Sequence, residues 1–288
     1  MGKVLCYGVV GVDYLLSVRA FPEADGHARI SSEEVVVGGE AANTAVRLSQ
    51  LGCSVLLFGN PVGSDRHGDL FTSEMSGTDV DSRIQTQQGA TGHAYVVRDE
   101  AGTRTILGAF DELVGPEIPA DCWDGVKHVA IDPFVKGALE VAKYAHSSGI
   151  PVTAIELGPG NEMLPFADTV INSAGFMRRH EWGEHRACTH SLLSMGVQSV
   201  IITQGSAGAD VYTESGVFRQ PAFPVEAVDT TGAGDAFRAG WIEARMAGRS
   251  QVDAARNGAA VAALSCCYLG GCGGSVALDE ARRLAGVA

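Results

Sequence analysis

Val228-Asp229-Thr230-Thr231-Gly232-Ala233-Gly234-Asp235-Ala236-Phe237 is the stretch on which the reading of this chain turns. A Gly-Ala-Gly turn runs into a segment with apolar residues at Phe237, Gly240, Trp241 and Ala244. That is the i, i+3, i+4, i+7 spacing of a helix with one buried face. A helix that starts on such small residues leaves its first N–H groups and the positive end of its dipole open to an anion such as a phosphate. Asp235, in the first turn, would stand where charge develops on a transferring phosphoryl group and could take a proton from an attacking hydroxyl. The same aspartate also fits the acidic residue that stabilises an ordinary helix start.

Working outward, residues 126–203 alternate strand and helix signals. Strands are expected at 128–131, 152–155, 169–171 and 200–203, and helices at 136–147 and 186–195. That alternation predicts parallel βαβ units with helices on both faces of one sheet. Towards the N-terminus, 3–10 reads as a buried strand, 42–51 as a helix stopped by Gly52, 55–59 as a strand and 64–79 as a helix. Two stretches alternate apolar and polar residues instead: 28–37, and 90–107 with a turn at 99–102 that makes a hairpin. The expected organisation is an α/β core of 1–13, 38–89 and 113–288, with a small β-sheet lid from 14–37 and 90–112 hinged at Gly38-Gly39.

The 288 residues are 45% hydrophobic and 19% charged, enough for a substantial core. A net charge of −13 without a Lys/Arg-rich run argues against nucleic acid or an anionic membrane surface as partner. Residues 1–7 do not read as a signal peptide, and no apolar run reaches the length of a membrane span. The seven cysteines are odd in number and lack a CxxC, so free thiols in a reducing cytoplasm are expected rather than a zinc site or disulfides.

The run Asp229 to Phe237 resembles the second signature of the ribokinase/PfkB family of carbohydrate kinases. Gly38-Gly39-Glu40-Ala41-Ala42-Asn43-Thr44-Ala45, followed by Leu51-Gly52, is similar to the first signature, and Thr203-Gln204-Gly205-Ser206-Ala207-Gly208 to the strand-end turn near the nucleotide phosphates. There is no GxxxxGK[ST] loop. The resemblance spans essentially the whole chain, and its nearest branches are the ketohexokinases and sulfofructose kinases. It implies a ribokinase-like, doubly wound, mostly parallel sheet with a β-sheet lid. It also implies ATP-dependent phosphorylation of a small sugar, a ketose or pentose. A nucleoside kinase of the same fold, and a non-catalytic sugar sensor, are the alternatives.

By that resemblance Asp235 is the base, and Gly232, Ala233 and Gly234 supply backbone donors to the phosphoryl group. An ordinary aspartate value of about 3.9 would leave Asp235 ionised. Asp13, placed at the end of the first strand, Asp25, Gly39 and Asn43 match acceptor-binding positions. Asp25 also reads as a turn residue, and Asn43 as a helix cap. Arg104 is a candidate for a phosphate or the sugar, or a solvated strand residue, and Asp132 a strand-end ligand group or the start of an Asp-Pro turn. Tyr14, Ala94, Leu107 and Phe110 are expected to face the acceptor. Thr203, Gly205, Gly208 and Asn257 are the nucleotide-binding candidates, and Asp229, Thr231 and Ser275 resemble a monovalent-cation (K+) site. ATP implies Mg2+, but Asn172-Ser173-Ala174-Gly175 lacks the glutamate of the family's Asn-x-x-Glu, with Glu156 as substitute. Glu40 is a second departure, standing where relatives carry Lys or Asn. A homodimer through the lid is a further expectation.

Overall fold

The computed structural model describes residues 2–101, 104–182 and 185–287, so Gly102 and Thr103 of the expected hairpin lie outside the described residues. In chain order the strands and helices are β1 (Lys3–Gly8), β2 (Gly11–Val18), β3 (Ile30–Gly38), α1 (Glu40–Gln50), β4 (Ser54–Gly59), β5 (Val62–Gly63), α2 (Arg66–Ser76), β6 (Val80–Ser82), β7 (Thr86–Gln87), β8 (His93–Arg98) and β9 (Arg104–Ala109). There follow β10 (Val126–Ile131), α3 (Ala138–Ser147), β11 (Val152–Ile155), β12 (Thr169–Ser173), α4 (Ala174–Arg179), α5 (His185–Ser194) and β13 (Ser199–Thr203). The chain ends with β14 (Ala209–Thr213), β15 (Gly216–Gln220), α6 (Ala233–Met246), α7 (Gln251–Ser265) and α8 (Leu278–Ala285).

Among the described residues the large sheet has the order β15-β14-β13-β12-β11-β10-β1-β4-β6. Strands β13 to β6 in that order are parallel, and β14 and β15 form an antiparallel edge. Alternate residues of β1 feed two cores. Val4 and Cys6 join α1, α2, α6, α7 and α8, while Leu5 and Tyr7 join α3, α4 and α5. Strand order reverses at β1, between β4 and β10, so the crevice beyond the carboxyl ends of those strands is where a doubly wound sheet takes ligand.

The small sheet has the order β3-β2-β8-β9. Its first strand begins at Gly11, so Asp13 belongs to this sheet and not, as the sequence suggested, to the end of β1. The chain changes sheets at Val9 and Val10, whose N–H groups donate to Asp132 Oδ2 and Asn60 Oδ1. Register aligns Asp13 with Val36 and Ala94, Leu15 with Val96, and Ser17 with Arg98 on one face. This face looks onto the core: a Cβ on Gly270 would touch Val36 and Leu15 at 3.2 and 3.4 Å. Tyr14, Tyr95, Val35 and Leu107 occupy the opposite face, where Tyr14 stacks on Tyr95 and its hydroxyl meets His67 and Arg66 of α2. Tyr14 and Leu107 therefore point away from Asp13, and of the four expected acceptor-facing residues Ala94 shares its face. Phe110 instead covers Gly92 and Gly108. Gly39 is less a free hinge than a close approach, since a Cβ there would lie 2.4 Å from Val9 O.

No helix among the described residues is long and apolar enough to cross a membrane. All seven cysteines are free thiols.

Candidate active site

Helix α6 starts from Gly232 in the left-handed region (φ 73°), and no side chain caps it. By contrast α2, α4 and α7 are closed by Asp65, Ser173 and Ser250. The first N–H groups of α6 are thus left for another acceptor, and nothing would meet a Cβ on Gly234 within 4 Å, so that position is open. The turn before α6 is held rigidly. Asp229 Oδ1 accepts from Thr231 N and Oγ1, and Oδ2 accepts from Gly270 N. Val228 N and Asp229 N both donate to Cys266 O.

Asp235 is buried in the first turn of α6, 8% exposed. Its Oδ2 accepts from Asn43 Nδ2 at 3.0 Å, and its Oδ1 lies 3.8 Å from Arg238 Nη2. Burial pushes this carboxyl up to about 7, against the pull of Arg238 and Asn43, so the ordinary value assumed from sequence does not hold. Asn43 Oδ1 in turn accepts from Cys272 Sγ. Asn43 is thus a partner of Asp235 and caps no helix.

Around Asp235 stands a carboxylate cluster on the carboxyl ends of neighbouring strands. Asp132, directly after β10, is fully buried and paired with Arg238 Nη1 at 2.6 Å. Its other oxygen accepts from Val9 N. Asp132 is therefore committed inside the protein and presents no open oxygen to a ligand, which corrects its assignment to the acceptor. Glu156 follows β11 with φ 51°, a left-handed backbone that is rare outside glycine and concentrates at functional sites. Burial raises Glu156 to about 7, countered by Arg179, and raises Glu40 to about 8, reinforced by Asp132 and Asp235. Two of these carboxylates, Asp132 and Asp235, lie within 4 Å of one buried guanidinium, Arg238, which the sequence reading passed over. Its spacing of i, i+3 from Asp235 on one helix was the signal available.

At the junction of the two sheets, Asp13 is 8% exposed and its carboxylate lies against Gly38 Cα, where a Cβ would meet it at 2.3 Å. Burial raises it to about 6, and the charge of Arg104 opposes this, so the exposed Arg104 on β9 is within electrostatic reach of Asp13. Gly39 precedes α1 at the same junction. Asp25 is not brought there: it sits exposed in the β2–β3 turn with φ 62°. That is a turn aspartate.

Thr203 ends β13 beside Ser173 of β12, and Gly205 and Gly208 flank a single 3-10 turn beyond it. Gly205 is open, whereas a Cβ on Gly208 would strike Gln220 O at 2.1 Å, so Gly208 is required by packing. Asn257 does not reach this turn. It is buried between α6 and α7, its amide donating to Gly240 O and Glu243 Oε2.

The donor set fits magnesium at one place. Asn172 is fully buried, its Nδ2 donates to Leu157 O, and its Oδ1 has no partner. It lies one residue beyond Ile171, whose carbonyl accepts from Glu156 N. An unpartnered amide oxygen, with a carboxylate on the residue bonded to its strand neighbour, offers the oxygen donors that a hard cation takes. The potassium expectation fits poorly. Asp229 already receives three hydrogen bonds and has Arg98 Nη1 3.9 Å away, and that guanidinium donates to Val228 O at 2.7 Å. Ser275 lies exposed beyond Gly273 and Gly274, whose carbonyls are taken by Arg47.

The model of the pfkB family of carbohydrate kinases matches residues 1–118 and 171–277. The ATP-dependent ribose-1-phosphate kinase of Halopiger xanaduensis is 33% identical over 258 residues, 84% of each chain. The nucleoside kinase of Methanothermobacter thermautotrophicus is 30% identical over 277 residues, 90% of this chain and 87% of its own. In fold, the ribokinase of Thermotoga maritima matches with a TM-score of 0.82 at 21% identity, covering 99% of both chains.

Proposed function

The chain belongs to the pfkB family of carbohydrate kinases and is an ATP-dependent kinase of sugars or nucleosides; on that premise we propose that its acceptor carries a ribose unit and that Asp235 is the general base. The observation that carries the base assignment is a buried carboxylate in the first turn of an uncapped helix, bonded to Asn43 and raised to about 7. A base near neutrality suits proton removal at working pH. The acceptor hydroxyl gives its proton to Asp235 as its oxygen bonds to the γ-phosphorus, and the bond from that phosphorus to the β-γ bridging oxygen breaks to release ADP. The N–H groups at Gly232, Ala233 and Gly234 receive the charge on the transferring group. Thr203 and Gly205 border the nucleotide phosphates, and Asp13, Gly39 and Asn43 line the acceptor side.

When bound, magnesium would neutralise phosphate charge, and Glu156 with Asn172 would hold it. No step is assigned to potassium. The two relatives reported above are named for ribose-1-phosphate and nucleosides, which favours a ribose-bearing acceptor over the ketose suggested by the resemblance to ketohexokinases. Arg104, electrostatically coupled to Asp13, supports the phosphorylated pentose as the second reading. Exposed Tyr95 and Leu107 on the outer face of the small sheet suit pairing of two lids in a homodimer. ATP turnover measured with ribose, ribose-1-phosphate, fructose and a set of nucleosides tests the acceptor. Preference for fructose would refute the ribose reading, and full turnover by Asp235→Asn would refute the base.

A further inference from the structure

We infer that Arg238 is a positioning residue for Asp235: its guanidinium, fixed by bonds to α1 and to the end of β10, stands beside the carboxylate of the base and favours its charged form. This rests on the reading of Asp235 as the base. Arg238 is fully buried on α6. Nε and Nη2 donate to Thr44 Oγ1 at 2.9 and 2.5 Å, and Nη2 also donates to Glu40 O at 2.8 Å, both on α1. Nη1 donates to Asp132 Oδ1 at 2.6 Å, beyond β10. The same Nη2, with its hydrogens directed to α1, lies 3.8 Å from Asp235 Oδ1. That is beyond a direct hydrogen bond, so the arginine acts on the base through its field and leaves the carboxylate's lone pairs for a substrate proton.

The arrangement answers a specific difficulty. The groups facing Asp235 are Asn43 and Glu40 of α1, Asp132 after β10, Glu156 after β11, Cys272 of the C-terminal loop and Arg238 itself. Of these, Arg238 is the one cation. Three carboxylates oppose ionisation of the base, and burial opposes it more. Asp132 adds to that repulsion, yet its bond to Arg238 is what holds the guanidinium in place. Of the charged neighbours, Arg238 affects Asp235 most, ahead of Asp132 and Glu156. Removing the Arg238–Asp132 pair together therefore still leaves the base harder to ionise. A plain structural pair with Asp132 would need no second carboxylate at 3.8 Å.

The test is a pH–rate profile, since a packing role would lower activity equally at every pH. Arg238→Met alone would strand a buried Asp132, so the informative protein is Arg238→Met with Asp132→Asn, which removes one charge of each sign. The wild type should lose kcat/KM tenfold per unit below about pH 7. In the double variant that acid limb should move up by about one unit or more, with ATP KM changed less than about twofold and activity recovering toward pH 9. Arg238→Lys keeps the charge but cannot make the fork of bonds to Thr44 and Glu40. Its acid limb should stay near that of the wild type while kcat falls. An acid limb unmoved in the double variant, or one in the lysine variant that moves as far as in the double variant, overturns the inference. Turnover retained by Asp235→Asn would instead remove the base reading beneath it, so the two failures are told apart.

Discussion

Replacing Asp235 by asparagine should abolish turnover and, at the same time, stabilise the protein. Folding moves this carboxyl from 3.8 to about 7, chiefly through burial and net of the attraction of Arg238. A gap of about three units, at about 1.36 kcal/mol each, makes the ionised form cost the fold roughly 4 kcal/mol. The folded state binds the proton more tightly than the unfolded one. The cost is therefore absent below the unfolded value, grows between 3.8 and about 7, and is complete above that range. Asparagine has no charge to bury, and its amide oxygen can still accept from Asn43. Asp235→Asn should therefore gain up to about 4 kcal/mol at pH 8, roughly 2 kcal/mol at pH 5 and nothing near pH 3.5. Activity should fall by about 10²–10⁴-fold. Urea denaturation of both proteins at the three pH values measures the stability arm. A variant less stable than wild type at pH 8, or a gain of equal size at every pH, would refute the reasoning.

On the proposed reading, in which the small sheet carrying Asp13 covers the acceptor, Asp13→Ala should raise the KM of the acceptor far more than that of ATP; equal weakening in separate titrations would place it elsewhere. Gly271→Ala puts a Cβ 2.4 Å from the Asn43 side chain and should push Asn43 off Asp235. A kcat loss of about 10²-fold, with the melting temperature little changed, is expected, and wild-type kcat would break that chain of contact. Acceptor binding should increase hydrogen-exchange protection in 11–38 and 93–109 while 126–131 and 199–203 stay constant; unchanged small-sheet exchange would mean a preformed pocket.

The helix carrying Asp235 was legible because its signal is local: small residues, then apolar positions on one face. The β8–β9 hairpin was legible for the same reason, its residues alternating around a turn. Strand β2 was not. Gly11-Val12-Asp13-Tyr14-Leu15 is buried throughout, so it shows no alternation and reads as a continuation of β1. That run displaced Asp13 into the wrong sheet. Arg238 was missed because a search for apolar periodicity passes over a charged residue, and its partners Asp132 and Thr44 are more than 100 residues away. Asn257 was misplaced because the demand for its amide comes from Gly240 and Glu243 on a neighbouring helix. The raised carboxyls of Asp235, Glu40 and Glu156 are consequences of burial, which no spacing of residues reveals.

Arg98 ties the small sheet to the loop that opens α6. Its Nε donates to Ser17 within the sheet and its Nη1 to Val228 O, directly before Asp229. Lifting the sheet would therefore break the Arg98 bond to the backbone just before the turn at Gly232. On the proposed reading, with the acceptor under the small sheet and the phosphates at the start of α6, this bond would link the two substrates thermodynamically. Whatever factor the closed sheet adds to ATP affinity, ATP must return to acceptor affinity, since coupling free energy is reciprocal. Binding should then be synergistic beyond the direct meeting of acceptor and γ-phosphate, with one guanidinium carrying part of the exchange.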